Sequence, residues 1–204
     1  MALKTFVKIN HINNLTDARY CAGMTVNLLG FCLNSEDPNF VSPEEFQEIT
    51  GWLSGVEFVG ETAGIPEEEI RILLDKYPGL SWVEHDRLDT LLSLNDLGLP
   101  LIYQCDLDEI NHLDLELEEK LGQRSLYLHL TNIESAFQKQ KEIQVLSDKF
   151  PVILADGFHP NDVLEVIGTL PVYGISLKGG TEIKAGLRDF DQMADILEAL
   201  EIED

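Results

Sequence analysis

Short apolar runs alternate with longer amphipathic stretches along the whole chain. The short runs are rich in β-branched and aromatic residues and are bounded by Pro, Gly, Asn or Asp, which is typical of buried strands. Eight such strand candidates cover residues 3–9, 27–33, 55–60, 80–84, 100–105, 125–130, 151–155 and 172–177. Helices are predicted between them. Ser42-Pro43-Glu44-Glu45, for example, combines an N-cap residue, a first-turn Pro and early acids.

Strands that alternate with helices favour a parallel sheet joined by right-handed crossovers. Eight strand–helix units in 204 residues predict a compact (β/α)8 TIM barrel, near the lower limit of roughly 200 residues for this fold. A doubly wound open sheet is the alternative, but no GxGxxG motif follows the first strand. The chain has no evident linker or low-complexity tract, so we expect one domain over residues 1–204.

The charge balance of the chain is strongly acidic. The sequence has 14 Lys and Arg residues against 37 Asp and Glu residues, a formal net charge of −23 at pH 7. Nucleic acids and anionic membrane surfaces are bound by clustered Lys and Arg, so we expect neither as a partner. No apolar run approaches the roughly 18 residues of a membrane span, and the polar start of the chain is unlike a signal peptide. These features predict a cytoplasmic protein.

The predicted strand ends carry polar residues, and in a (β/α)8 barrel function lies at the carboxyl ends of the strands. These residues are Asn10, His11, Asn34, Glu61, Glu84, His85, Asp86, Gln104, Asp106, His129, Thr131, Asp156 and Lys178. Imidazoles and carboxylates on one rim can transfer protons or hold a metal. The chain has no HxH or HExxH motif, and its three cysteines stand singly, so we expect neither a metal nor a disulfide.

The last two strand–helix loops favour an anion site. Gly157 follows the seventh strand candidate, and Lys178-Gly179-Gly180 follows the eighth. Glycines let backbone N–H groups approach an anion, and phosphate sites recur at these two loops in this fold. Lys184 and Arg188 lie close by in a chain with few basic residues. We therefore predict phosphate binding by Gly157, Lys178, Gly179 and Gly180; a glycine-rich turn beside a solvated lysine is the alternative.

Several segments resemble the phosphoribosylanthranilate isomerase family, in the order in which that family has them. Residues 7–18 (VKINHINNLTDA) are similar to VKICGITNLEDA, residues 153–163 (ILADGFHPNDV) to LAGGLNPENV, and residues 175–182 (ISLKGGTE) to VDVSSGVE. The resemblance is weak between about residues 86 and 150. It implies a (β/α)8 barrel of tryptophan biosynthesis, either monomeric or homodimeric and without a cofactor. The implied reaction converts a small phosphorylated metabolite, a phosphoribosyl-anthranilate, into the matching 1-deoxyribulose by an Amadori rearrangement.

The positions that match the family's catalytic residues carry other residue types. The family's general base, a cysteine of strand one, falls on Asn10, and the glycine after it falls on His11. The general acid, an aspartate of strand six, falls on His129. A carboxamide does not titrate usefully, whereas an imidazole with a pKa of about 6.5 can transfer a proton. The resemblance therefore makes Asn10, His11 and His129 the catalytic candidates, with His11 as the substitute base.

The substrate-binding loop after the second strand also departs from the family pattern. The family's loop arginine, which pairs with the substrate carboxylate, falls on Asn39, and residues 20–70 contain ten acids and no Lys or Arg.

Three hypotheses about the function stay open. The chain is an isomerase-like enzyme with substituted catalytic residues and weak or altered activity. Alternatively, it is an inactive paralogue that binds a phosphorylated metabolite or a protein. The third hypothesis is a different phosphosugar-type reaction that uses the rim histidines.

Overall fold

Eight parallel strands form a closed barrel in this computed structural model, which describes residues 2–112, 126–132, 136–155, 157–179, 181–184, 187–189 and 191–202. The strands are β1 (Phe6–Asn10), β2 (Leu28–Cys32), β3 (Glu57–Glu61), β4 (Trp82–His85), β5 (Leu101–Asp106), β6 (Leu126–Thr131), β7 (Val152–Ala155) and β8 (Gly174–Lys178). Each strand pairs with its neighbour in the sequence, and β8 pairs with β1, with Asn10 opposite Lys178. The (β/α)8 barrel predicted from the sequence is confirmed.

Seven α-helices occur within the described residues. They are α1 (Leu15–Gly23), α2 (Pro43–Thr50), α3 (Glu67–Leu74), α4 (Leu88–Ser93), α5 (Gln140–Ser147), α6 (Val163–Thr169) and α7 (Asp191–Leu200). Helix α2 begins as its sequence predicts, because Ser42 and Glu45 form a capping box at its first turn. No helix in these ranges has the length and apolar character needed to cross a membrane.

The interior of the barrel changes from apolar to polar along the strands. Alternate residues of a strand point to the same side, so one set faces the barrel axis and the other packs beneath the helices. Towards the amino ends of the strands, the inward set forms a small apolar cluster of Leu28, Val59, Trp82 and Ile102. Towards the carboxyl ends, the buried residues include Lys8, Asn10, Glu61, Glu84, His129 and Ser176. The apolar cluster therefore lies beneath a polar layer at the carboxyl face of the barrel, where function is expected.

After β8, the chain forms a short antiparallel pair outside the barrel. The two strands are β9 (Thr181–Lys184) and β10 (Leu187–Asp189). This pair was not predicted from the sequence, where the segment is interpreted as part of a glycine-containing anion loop. Gly180, one of the predicted phosphate-binding residues, lies outside the described residues.

Candidate active site

A buried lysine organises the polar layer of the barrel. The side chain of Lys8 has no solvent exposure, and its ammonium nitrogen lies 2.7 Å from Glu61 Oε1, 2.7 Å from Glu84 Oε2 and 2.5 Å from Asn10 Oδ1. The ammonium group donates hydrogen bonds to Asn10 and Glu61, and it forms an ion pair with Glu84. Burial alone would lower the pKa of Lys8, but the two carboxylates outweigh burial and hold its pKa above the usual value. Lys8 is therefore a fixed positive charge between two glutamates.

Both glutamates are held in the ionised form. Glu61 ends β3, and Glu84 lies beside it in β4. Burial opposes their ionisation, but Lys8 lowers the pKa of each carboxyl below its ordinary value. Gly30 of β2 leaves room for Glu61, because a Cβ at position 30 would lie 2.0 Å from Glu61 Oε1. Two carboxylates and one ammonium leave this group with one net negative charge.

His129 and Asn10 are fixed within the same network. His129 Nδ1 lies 3.0 Å from Glu84 Oε1, and its Nε2 lies 2.6 Å from the hydroxyl oxygen of Ser176. That hydroxyl also accepts a hydrogen bond from Asn10 Nδ2 at 3.1 Å, while Asn10 Oδ1 accepts from Lys8. Both ring nitrogens of His129 and both polar atoms of Asn10 therefore have protein partners. Two of the three predicted catalytic residues hold the site together and present no uncommitted polar atom to a ligand.

His11, the third catalytic candidate, occupies an unusual backbone position immediately after β1. Its φ of +57° lies in the left-handed region, which favours glycine, and glycine is what the family motif has here. His11 Nδ1 lies 3.0 Å from Glu61 Oε2, and the His11 backbone N–H donates to the same oxygen at 3.2 Å. The hydrogen bond to Glu61 raises the pKa of His11, although burial opposes the shift. Its side chain is 38% exposed, so the ring is accessible to a ligand.

A cavity of about 200 Å³ opens above this network at the carboxyl face of the barrel. It is lined by Asn10, His11, Cys32, Asp37, Glu61, Ala63, Glu84, Gln104, His129, Thr131, Ala155 and Lys178. The structure thus brings the three predicted catalytic residues and the predicted phosphate-binding Lys178 to one cavity. Cys32 is also part of the lining, but burial raises the pKa of its thiol to about 11, so it is a thiol rather than a thiolate at neutral pH.

The predicted phosphate-binding residues have different surroundings. Lys178 lines the cavity at the end of β8. The backbone N–H of Gly179 donates to the carbonyl oxygen of Asn10 at 3.1 Å, so it joins the ends of β8 and β1. Gly157 has a φ of +76°, a conformation that glycine adopts without strain. Phosphate binding at Gly157, Lys178, Gly179 and Gly180 stays a prediction.

Two other rim histidines lie outside the cavity lining. His85 is fully buried on the opposite side of β4 from Glu84, with Nδ1 3.1 Å from Asp86 Oδ1, and burial lowers its pKa. His159 is exposed, and its Nδ1 lies 3.4 Å from Gln192 Nε2. Over the described part of the chain, no group of three or more His, Cys, Asp or Glu residues is arranged to hold a metal ion.

Lys8 and Ser176 belong to the site although the sequence pattern does not single them out. Each lies two residues before the polar end of its strand, and residues two apart in a strand face the same side. A lysine between Val7 and Ile9, in an otherwise apolar run, is the available signal. Glu61 and Glu84 are recognisable as strand-end carboxylates, but their common partner lies outside their own segments and is not visible in the sequence.

Comparison with known proteins connects this barrel to one group of enzymes. No protein-family model matches the chain. The N-(5′-phosphoribosyl)anthranilate isomerase of Gloeothece citriformis is 25% identical over 210 residues, covering 95% of this chain and 93% of that protein. The isomerase of Aquifex aeolicus is 26% identical over 205 residues, covering 94% and 96% of the two chains. The chain is thus similar in sequence to phosphoribosylanthranilate isomerases over nearly its whole length.

Solved structures of phosphoribosylanthranilate isomerases have the same barrel. The enzyme from Thermotoga maritima aligns with a TM-score of 0.76 at 19% identity, covering 96% of this chain and 98% of that chain. The enzyme from Thermus thermophilus aligns with a TM-score of 0.74 at 22% identity, with the same coverage. A further phosphoribosylanthranilate isomerase structure is a complex with reduced 1-(o-carboxyphenylamino)-1-deoxyribulose 5-phosphate. The likeness extends over nearly the full length of these chains.

Proposed function

We propose that the chain catalyses an Amadori isomerisation of the phosphoribosylanthranilate type, as an aldose–ketose isomerase of tryptophan biosynthesis with substituted catalytic residues. The observation that carries the proposal is His11. A side chain in the left-handed region costs roughly 1–2 kcal/mol, and here it places an imidazole beside a buried carboxylate at the cavity. The relatives, the cavity and the position of Lys178 support a phosphorylated sugar derivative as the ligand.

The contact with Glu61 gives the His11 ring a defined chemical role. When Nδ1–H faces the carboxylate, Nε2 carries the exchangeable proton or the lone pair. None of the described residues forms a hydrogen bond with Nε2. Because the hydrogen bond to Glu61 raises the pKa of His11, the imidazolium form is populated closer to neutral pH. One side chain can then donate a proton and take one back.

The proposed reaction uses His11 first as an acid and then as a base. The imidazolium protonates the ring oxygen of the ribosyl group while the C1–O bond breaks, and the amine lone pair forms the C1=N bond. The neutral imidazole then removes the C2 proton, the C2–H electron pair forms the C1=C2 bond, and the π electrons of C1=N return to nitrogen to give an enolamine. Loss of the O2 proton and protonation of C1 give the ketone. These steps require no external oxidant or cofactor.

Asn10 and His129 are positioning residues in this proposal. Their polar atoms hold Ser176, Lys8 and Glu84, which in turn fix Glu61 beside His11. A single imidazole thus replaces separate acid and base residues. Each general acid or base group typically contributes about 10²–10⁴-fold to the rate, so we expect slower turnover than in an enzyme with both. This is the weak activity expected from the substituted residues.

The test is an assay of purified protein on phosphoribosyl-anthranilate, followed by fluorescence, together with complementation of a tryptophan auxotroph that lacks the isomerase. We expect the wild-type protein to turn over the substrate, and we expect the turnover rate of His11→Ala to be lower by about 100-fold or more. His159→Ala, which removes an exposed rim imidazole outside the cavity, is the matched control and should retain wild-type turnover. Equal turnover in His11→Ala and wild type would refute the role of His11.

The fixed arrangement of Asn10 and His129 also favours a second candidate, a protein that binds the phosphorylated metabolite without converting it. The same preparations distinguish the two functions. Absence of turnover at high enzyme concentration, combined with saturable binding of reduced 1-(o-carboxyphenylamino)-1-deoxyribulose 5-phosphate, would refute the isomerase proposal and support the binding protein.

A further inference from the structure

The charged groups around the cavity are unevenly distributed. Among the described residues that line it, Lys178 at the end of β8 is the single Lys or Arg. The wall formed by β2, β3 and the loop after β2 instead carries Asp37 and Glu61. Lys8 lies beneath this wall, but it is fully buried and is already paired with Asn10, Glu61 and Glu84. A ligand with two anionic ends would therefore have a cation from the lining at only one of them.

Asp37 is held firmly in this wall. Its Oδ1 accepts hydrogen bonds from the backbone N–H of Asn39 at 2.7 Å and from Asn39 Nδ2 at 3.0 Å. Its own backbone N–H donates to the carbonyl oxygen of Asn34 at 3.0 Å. Asn39 is the position at which the family pattern has its carboxylate-binding arginine. The residue that replaces this arginine therefore orients an acid at the cavity.

His11 does not compensate for the missing cation. Its ring already faces Glu61 Oε2 at 3.0 Å. Asp37 lines the same cavity as His11, and its charge adds a small contribution to the raised pKa of His11 after the hydrogen bond to Glu61. Lys8, Glu61 and Glu84 together carry one net negative charge and Asp37 adds a second, so a protonated His11 still leaves this side of the cavity with one net negative charge.

We infer that the cavity binds a phosphoribosyl arylamine more tightly when the aryl group carries a neutral hydrogen-bond donor or a cation than when it carries the carboxylate of anthranilate. This inference rests on the proposed function for the sugar phosphate part of the ligand. A carboxylate against Asp37 and Glu61 meets like charges in a partly enclosed space, whereas a carboxamide offers N–H groups to the same oxygens. The carboxamide has nearly the same shape as the carboxylate, so charge is the property that is selected.

The test compares two ligands that do not react. These are reduced 1-(o-carboxyphenylamino)-1-deoxyribulose 5-phosphate and its o-carbamoyl counterpart, with Kd values for the full chain measured by calorimetry at pH 7.5. We expect the carbamoyl compound to bind about tenfold more tightly or better, since the removed repulsion is that of charges near a protein surface. Equal affinities, tighter binding of the carboxyl compound, or no binding of either at millimolar concentration would overturn the inference.

A charge variant identifies the responsible group. Asp37→Asn keeps the shape and removes the charge, so we expect the carbamoyl preference to fall by about threefold or more. Glu36→Gln makes the same change at an exposed acid one residue away that is not part of the lining, and it should keep the preference. An unchanged preference in Asp37→Asn would show that Asp37 is not the selecting group.

Turnover separates this inference from the isomerase proposal. Phosphoribosyl-anthranilate and phosphoribosyl-anthranilamide are assayed side by side with wild-type protein. Turnover of the anthranilate compound without tighter binding of the carbamoyl analogue would overturn the inference and leave the proposed function standing. Tighter binding of the carbamoyl analogue without turnover of either compound would support the inference and refute the isomerase.

Discussion

Substitution of His11 by Gly and by Ala separates the cost of its backbone conformation from the role of its ring. Both variants remove the imidazole and its contact with Glu61, and they differ only in whether a Cβ occupies a position with a φ of +57°. The left-handed conformation costs Ala about 1–2 kcal/mol relative to Gly. The greater entropy of Gly in the unfolded chain offsets about 0.4–1 kcal/mol of that advantage. Taking the midpoints of the two ranges, the net difference favours His11→Gly by about 0.8 kcal/mol.

The measurement is the free energy of unfolding in urea, with thermal melting as a second probe. For a chain of this length about 1 kcal/mol corresponds to a shift in Tm of roughly 2–4 °C, so His11→Gly should melt about 1–4 °C above His11→Ala. Both variants should lose turnover to the same extent, because neither has the ring. A His11→Ala variant as stable as His11→Gly would refute the claim that the folded chain holds this residue in a strained conformation.

Three further predictions concern His11, Lys8 and a buried hydrogen bond of Tyr77. Because the folded pKa of His11 is raised, its contribution to stability is fully present below the unfolded pKa of about 6.5 and is lost as pH rises through the folded pKa. Wild type should therefore exceed His11→Gly in unfolding free energy by more at pH 5.5 than at pH 8.5; an equal difference would contradict this. Lys8→Met should cost about 3–5 kcal/mol in urea unfolding because it leaves buried carboxylates unpaired, while the exposed Lys76→Met should change little. Tyr77→Phe, which leaves the buried Val41 carbonyl without its 2.7 Å hydrogen bond, should cost about 1–3 kcal/mol, and a cost near zero would show that water replaces the hydroxyl.

The barrel was predictable because its signals are local. Each strand is a short apolar run, and the helix after the second strand begins at an identifiable start signal at Ser42, so the alternation of strands and helices follows from the sequence alone. The strand boundaries are less well determined. For example, the first strand begins at Phe6 rather than at Leu3, which makes an isolated bridge to Glu201 near the other end of the chain. Such a long-range partner is not visible in a local pattern.

The position of the candidate site was predictable from the sequence, but the hydrogen bonds between its residues were not. Asn10, His11, His129 and Lys178 were found because they stand at strand ends, and these ends converge on one cavity. The hydrogen bonds that occupy both nitrogens of His129 involve β4 and β8, which are far away in sequence. The left-handed conformation of His11 likewise cannot be derived from its own residue type, since only a few per cent of residues other than glycine adopt a positive φ.

Gly30 restricts which substitutions the barrel interior can accept at neighbouring positions. A Cβ at position 30 would overlap Glu61 Oε1, so the Glu61 carboxylate can keep its place beside Lys8 only while position 30 has no side chain. The two positions are therefore expected to vary together among homologues and in designed variants. Gly30→Ala alone should expel the carboxylate from beside Lys8, whereas Gly30→Ala combined with Glu61→Ala should pack without overlap and lose the negative charge beside His11. The glycine at position 30 of β2 thus determines whether β3 can hold a buried negative charge at position 61.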